Sequence, residues 1–424
     1  MKMNRKINYL DLFAGCGGLT DGFEQTGLYN ALACVEWDKS ACETLSKRLC
    51  ERWGYKNAKD FVLRFDIQRT KELINGWDND TEYGSSKGFN NFVENNKVDI
   101  IIGGPPCQAY SIAGRIRDKH GMKNDYRNYL FQSYLEIVDQ YKPKLFVFEN
   151  VLGMLSAAPD GELIINKIRD GFASIGYELI EDIKDNAVFD VSEFGVPQNR
   201  TRVILIGINR NYFKEYDVQN ILKDFYSNIT KKYKVSRVKT VKDAISDLPK
   251  FKPLAEPVKI SGKKYSHFPT MTDFYNHTPR FHSQRDIEIF EELAKDIYYG
   301  HNKYSSIQSL KDLYTKKTGK TSSVHKYNVL EWDKPSNTIV AHLYKDGLRH
   351  IHPDYKQARS ITVREAARLQ TFDDDFEFLG SQGDQYKMIG NAVPPLFAKV
   401  IALSIDEFLE KYQVVCSNLQ LLTK

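Results

Sequence analysis

Six times before residue 210 the chain returns to a short, near-continuous apolar run, at residues 9–13, 31–35, 61–63, 98–102, 145–148 and 203–208. Runs this short, with so little polar alternation, suit strands covered on both faces, as in a parallel sheet clad in helices. Helical patterns lie between them. One, over residues 129–141, stops ahead of Pro143, where the residue before proline is pushed out of helical backbone. The expectation is an α/β protein with a doubly wound, mostly parallel sheet, its ligands at the carboxyl ends of the strands.

Two segments interrupt this rhythm. Residues 76–96, rich in Asn, Asp, Gly and Ser, read as a surface insertion between the third and fourth strands. Over residues 211–357 the apolar runs shorten and Lys, Tyr, His and Asn dominate, which marks a second, smaller domain. The net charge of +5 says little, but residues 228–268 hold ten lysines and Arg237 against Asp243, Asp247 and Glu256, interleaved with Tyr233, Phe251, Tyr265 and Phe268. Such a stretch fits a surface for a polyanion or, equally, a solvated basic face. The six cysteines form no CxxC pair and the nine histidines never fall in zinc-ligand spacing with them, so no disulfide framework or metal is expected. No run approaches the ~18 apolar residues of a membrane span, and the polar N-terminus does not read as a signal peptide. The chain reads as intracellular, without a membrane partner.

The first strand ends in Asp11-Leu12-Phe13-Ala14-Gly15-Cys16-Gly17-Gly18, whose glycines let a ligand approach the backbone. A dinucleotide fingerprint would need glycine where Thr20 stands. Glu36 and Trp37 follow the second strand and Asp66 the third. Singly, each has a bland reading, the indole as core and the carboxylates as helix caps. Together, at successive strand ends, they describe an adenosine pocket: a carboxylate for ribose hydroxyls, an indole for the purine face, an acceptor for its amino group. The fourth strand runs into Gly103-Gly104-Pro105-Pro106-Cys107-Gln108. The strand and prolines restrict the backbone and a following helical segment would favour thiolate, so Cys107 is open to two readings, a nucleophile or a small buried residue.

In their order, these motifs resemble the cytosine-C5 DNA methyltransferases. The resemblance rests on Phe13-Ala14-Gly15-Cys16-Gly17-Gly18, Glu36-Trp37, Asp66-Ile67, Gly104-Pro105-Pro106-Cys107-Gln108, Asp125-x-Arg127-x-x-Leu130, Glu149-Asn150-Val151 and Gln198-Asn199-Arg200-Thr201-Arg202. It continues through Arg359-Ser360-Ile361-Thr362-Val363-Arg364-Glu365-Ala366-Ala367-Arg368-Leu369-Gln370 and Gly390-Asn391-Ala392-Val393-Pro394-Pro395. The resemblance implies a Rossmann-like fold that uses S-adenosyl-L-methionine, with residues 1–210 and 384–424 catalytic, 211–357 for target recognition and 358–383 as a hinge. It assigns the nucleophile to Cys107, the contact to ring N3 to Glu149, the contact to the ring oxygen to Arg202 and a supporting role to Arg200. Its cofactor residues would be Phe13, Gly15, Cys16, Gly18, Glu36, Trp37, Asp66, Ile67, Gly104, Pro106, Leu130, Asn391 and Ala392.

The implied substrate is a cytosine flipped out of double-stranded DNA, with residues 110–124 as a mobile loop closing over it. The implied setting is a bacterial cytoplasm and a restriction–modification system, the protein acting as a monomer beside a cognate endonuclease and without a metal. An RNA-directed member of the same fold, or an inactive DNA-binding regulator, are the alternatives. Two positions depart from the pattern: Asp373 stands where proline is common, and Ala392 where many relatives have serine. The cluster Asn276-His277-Thr278-Pro279-Arg280-Phe281-His282 carries side chains suited to base edges.

Overall fold

The computed structural model describes residues 6–94, 96–106, 130–159, 161–268 and 272–412, and in it the six apolar runs become strands of one sheet. β1 (Ile7–Leu12), β2 (Tyr29–Glu36), β3 (Val62–Arg64), β4 (Ile100–Gly103) and β5 (Leu145–Val151) are joined by β6 (Tyr177–Glu178), β7 (Val188–Asp190) and β8 (Thr201–Asn209). The order is β3-β2-β1-β4-β5-β8-β6, with β7 also on β8. β1 through β5 pair in parallel, whereas β8 runs antiparallel to β5, β6 and β7. Val203–Ile208 therefore departs from the parallel expectation: its unbroken apolar composition reports burial on both faces, which an inner antiparallel strand also has.

The strand order reverses at β1, so the crevice beyond the carboxyl ends of β1 and β4 is where an open sheet of this kind takes its ligand. Helix α1 (Gly18–Glu24) leaves the β1 turn, α2 (Lys39–Glu51) follows β2, α3 (Leu130–Tyr141) precedes β5 and α4 (Ile164–Ser174) follows it. The C-terminal helix Pro395–Lys411 packs on α1 so closely that a Cβ on Gly22 would stand 2.4 Å from the Ala398 Cβ and from the Pro395 carbonyl. Glycine is required there by the approach of the two backbones.

The expected insertion is ordered where it is described. Trp77–Asp80 pairs with Gly84–Ser86, and the Trp77 ring stacks on Phe65 at 3.8 Å, which pins the hairpin beside the end of β3.

Packing divides the chain into two units, one of Met1–Phe194, Thr201–Val235 and Val393–Lys424, the other of Gly195–Arg200 and Ser236–Ala392. These boundaries differ from those drawn on composition. Residues 211–235 belong with the sheet, because Phe225 packs on Phe408, the Tyr226 hydroxyl bonds β8 at Ile206 N and Ile204 O, and Lys232 pairs with Glu407. Residues 358–392 belong with the second unit.

That unit contains a hairpin, β9 (Pro253–Ile260) and β10 (Lys263–His267), and helices α5 (Gln284–Tyr298), α6 (Ile307–Thr318), α7 (Val363–Leu369) and α8 (Gln382–Asn391). Its apolar core joins Ile289, Phe290, Leu293, Leu313, Tyr327 and Ile351. Beside this lies a buried polar centre. Arg359 forks onto both Glu365 oxygens at 2.7 Å, both side chains fully buried, and the same carboxylate accepts from Thr362 N to cap α7. Arg364 spends its guanidinium on the carbonyls of Tyr275, Asp373 and Phe376, so Asp373 contributes a main-chain acceptor that proline would also carry. Gln382–Lys411 has the length and apolar content of a membrane span, contrary to the expectation that no stretch does. It is two helices, α8 and Pro395–Lys411, and 78% of the apolar window is buried.

Candidate active site

At the carboxyl end of β1 the backbone turns through two left-handed residues, Phe13 (φ 59°) and Gly15 (φ 56°). For phenylalanine that conformation is uncommon and is held only by its surroundings. The hold is visible: Ala14 N donates to Val35 O at 3.0 Å and Gly15 N to Glu36 Oε2 at 2.9 Å. The other Glu36 oxygen accepts from Trp37 N and Asp38 N, each at 2.9 Å. One carboxylate thus ties the turn after β1 to the turn after β2. Burial raises its pKa, and the three amide donors oppose that shift.

Beyond Glu36 the Trp37 indole is 60% exposed, so the core reading of this residue is excluded. Asp66 is half-buried after β3, with Oδ1 accepting from Gln68 N at 3.0 Å, and Ile67 beside it is buried. Gly18 opens α1, and Cys16 is buried, its thiol pushed upward by burial. Gly17 (φ 94°) lies under Leu45, whose Cδ1 would be 2.5 Å from a Cβ there.

Sequence reasoning left Asp11 without a role. It is fully buried; Oδ2 accepts from Thr20 Oγ1, and Oδ1 has no partner among the described residues. Burial raises its pKa to about 7. An orphaned buried acceptor is costly unless something else meets it. The signal was present as the one charged residue inside the buried strand β1. An exposed aromatic face, a carboxylate locked by main-chain amides, an unmet acceptor and open space where a Gly15 Cβ would stand form a cradle that fits an adenosine-bearing ligand with a polar tail.

The second cluster of the first unit lies at the ends of β4, β5 and β8. Gly104 follows β4, and a Cβ there would lie 2.8 Å from Glu149 Oε2, so a larger residue would have to displace the carboxylate. Glu149 Oε1 accepts from Arg202 Nε at 2.9 Å, both side chains about one-eighth exposed at 12%. Arg202 sits opposite Val151 in the β5–β8 ladder, which sets this pair in register. Asn150 is buried, with Oδ1 accepting from Val151 N at 2.7 Å and Nδ2 unmatched among the described residues. Pro106 is half-buried and Leu130 is buried as the first residue of α3. Cys107, the 110–124 loop, Asp125 and Arg127 lie outside the described residues.

Three expected site residues fall in the second unit. Arg200 is buried and donates to the carbonyls of Ile339 and Ala392, each at 2.9 Å, and to Gly390 O. Asn391 is exposed at the end of α8, and Ala392 presents its carbonyl to Arg200 and to Gln370. Much of the 276–282 cluster is scaffolding, which corrects its reading as base-edge groups. The Asn276 amide makes two bonds to the Phe378 backbone, His277 bridges Thr362 and Pro249 O, and His282 bonds Ser360. Among the described residues no cluster of three or more His, Cys, Asp or Glu is placed to hold a metal ion.

Comparison with known proteins places this geometry. The family model described as C-5 cytosine-specific DNA methylase matches residues 7–407. The type II methyltransferase M.Bpa9945I of Bacillus paralicheniformis is 36% identical, over 94% of this chain and 98% of that protein. M.DdeI of Desulfomicrobium norvegicum, also a type II methyltransferase, is 30% identical over 96% and 91%. Among solved structures, a DNA modification methyltransferase encoded within an E. coli prophage superposes with a TM-score of 0.62 at 24% identity, covering 96% of this chain and all of that one (100%). The S. pombe Dnmt2 methyltransferase follows at a TM-score of 0.53 and 16% identity, covering 96% and 99%. At those identities the two structures speak to the fold alone.

Proposed function

The chain belongs to the C-5 cytosine-specific DNA methylase family and is a DNA cytosine-C5 methyltransferase, and from that membership we propose a specific division of labour among its residues. The methyl donor the family implies is S-adenosyl-L-methionine, which supplies an electrophilic methyl group when bound. Phe13, Glu36, Trp37 and Asp66 hold its adenosine, Gly15, Cys16 and Gly18 let the turn approach it, and Asp11 Oδ1 meets its polar tail. Ile67, Gly104, Pro106 and Leu130 line the same crevice, while the cofactor role of Asn391 and Ala392 rests on the family pattern alone.

The target is a cytosine flipped from a specific duplex site, because its C5 and C6 are unreachable in the stack. Cytosine C5 is a poor nucleophile. Addition of the Cys107 thiolate to C6 moves electron density onto C5, which takes the methyl group; loss of the C5 proton and rupture of the C6–S bond restore the ring. Negative charge that builds on the base is met by a proton that Glu149, once protonated, donates at N3 and by Arg202 at the ring oxygen. Arg200 acts at a remove, by tying the Ile339 and Ala392 carbonyls together.

The observation that carries this reading is the Gly104–Glu149 approach. It sets the backbone three residues ahead of Cys107 against the carboxylate expected to hold N3, and Arg202 fixes that carboxylate from the other side. We place the protein in the bacterial cytoplasm, as a monomer modifying DNA beside a cognate endonuclease, in keeping with the type II relatives. Bisulfite sequencing of DNA from a host with and without the gene tests the activity. New 5-methylcytosine within one short sequence is expected, and an unchanged methylome refutes it.

Trp37 offers a separate check on the pocket. Trp37→Ala should weaken S-adenosylmethionine binding by roughly 1–3 kcal/mol in calorimetric titration, through lost aromatic contact. Because the indole is 60% exposed, the melting temperature of the ligand-free protein should not fall. Unchanged affinity would remove Trp37 from the pocket.

A further inference from the structure

Positive charge in residues 228–268 is unevenly spent. Lys232 pairs with Glu407, Lys234 with Glu193, Arg237 with Asp243 and Lys250 with Asp354. Lys259 and Lys264 make no ion pair among the described residues, and they stand directly opposite each other across the β9–β10 ribbon. Like charges facing each other across a ladder are destabilising, and this ribbon keeps them. Its outer part is exposed on both strands, with Glu256 in the irregular stretch between Pro253 and Val258 as its one acid.

The ribbon is also rigidly presented. Its root is buried: His267 Nε2 lies 2.7 Å from Gln357 O, and Ser266 Oγ accepts from His282 N at 3.0 Å. Its tip is a two-residue turn with both residues left-handed, Ser261 (φ 46°) and Gly262 (φ 82°), the form that matches strand twist. Opposed residues share a face, so Lys259 and Lys264 occupy one side, while Val258, Ile260, Lys263 and Tyr265 occupy the other. Val258 and Ile260 are 39% and 45% exposed, so each presents part of its apolar side chain to solvent.

We propose that this ribbon enters the major groove of the target duplex, Lys259 and Lys264 reaching backbone phosphates and the Val258–Ile260 face meeting base edges. A major groove about 12 Å wide admits a two-stranded ribbon, and thymine methyl groups are its apolar feature. The inference rests on the DNA-methyltransferase reading. It differs from reading residues 228–268 as one polyanion surface in confining contact to one element with two unlike faces.

The test is fluorescence anisotropy against salt concentration, on the site mapped by bisulfite sequencing and on the same duplex with that site scrambled. Lys259→Ala with Lys264→Ala should weaken both duplexes alike, roughly tenfold, and lower the slope of log affinity against log salt by about two. Val258→Ala with Ile260→Ala should leave the slope intact and cut the preference for the mapped site several-fold. All four positions are exposed, and unchanged S-adenosylmethionine binding verifies folding. If the wild type methylates DNA and both variants match it in slope and preference, the ribbon assignment is wrong while the enzymatic reading stands. If the wild type methylates no DNA, both fall together.

Discussion

A Cys107→Ser protein is expected to transfer methyl groups on the order of ten-thousandfold more slowly than wild type, or not measurably, while duplex binding stays within a few-fold. A serine hydroxyl is essentially un-ionised at neutral pH, whereas a thiol is a few per cent thiolate even without help. The proposed phosphate contacts of the ribbon lie on other residues, so binding should survive. A duplex with 5-fluorocytosine at the mapped site should trap the wild type covalently, since the C5–fluorine bond cannot release the base as loss of a proton would. Peptide mapping of the adduct decides the nucleophile. Among the described cysteines, Cys16, Cys34 and Cys42 are buried and burial pushes each thiol upward, which suppresses thiolate. Cys50 is exposed near the end of α2, and an adduct there would overturn the assignment.

The largest stability loss is expected at Glu365. Glu365→Ala leaves the Arg359 guanidinium fully buried with its charge unmet, at a cost of roughly 3–5 kcal/mol. Removing both charges together, Arg359→Met with Glu365→Leu, should recover much of that loss in chemical denaturation. A single variant within about 1 kcal/mol of wild type would show that the pair is dispensable.

Acid should act on the same region. Burial lowers the pKa of His267 and His350 to about 4 and, with the Arg359 charge, that of His352 to about 3; it also depresses His277 and His282. A histidine held neutral in the fold stabilises it above its unfolded pKa of about 6.5, and that contribution is lost as pH falls toward the folded value. Glu365 is raised by burial but driven far below the carboxylate range by Arg359, so its contribution disappears only in stronger acid. Melting temperature should therefore fall from pH 7 to 5, the five histidines outweighing Asp11, whose raised pKa acts in the opposite direction.

Much of this was legible beforehand, and the failures share a cause. The strand positions and the Glu36, Trp37, Asp66 and Glu149 placements follow from local sequence, because a buried strand and the turn after it are specified by neighbours in the chain. The direction of β8 was not, since Val203–Ile208 has the same composition whichever way its partner runs. Ile221, Leu222, Phe225 and Tyr226 looked too sparse for a core, yet all are buried, with Phe225 against Phe408 of a helix far along the sequence. Histidines 277 and 282 look like recognition groups in one dimension and are internal ties in three. Lys232 and Lys234 read as free charges because their acidic partners are remote or follow no helical spacing.

The helix Pro395–Lys411 bears on how such a chain comes into being. It closes against α1 at Gly22, and Ala402 O takes the Tyr29 hydroxyl across 373 positions of sequence. A growing chain could have all eight strands outside the ribosome and still lack the layer that covers its first helix. Contacts this distant are slow to form, because the intervening loop must lose its freedom first. The N-terminal half of the sheet is thus the earliest part to be synthesised and among the last to be sealed, and a nascent chain must keep that apolar flank from its neighbours until translation is nearly over.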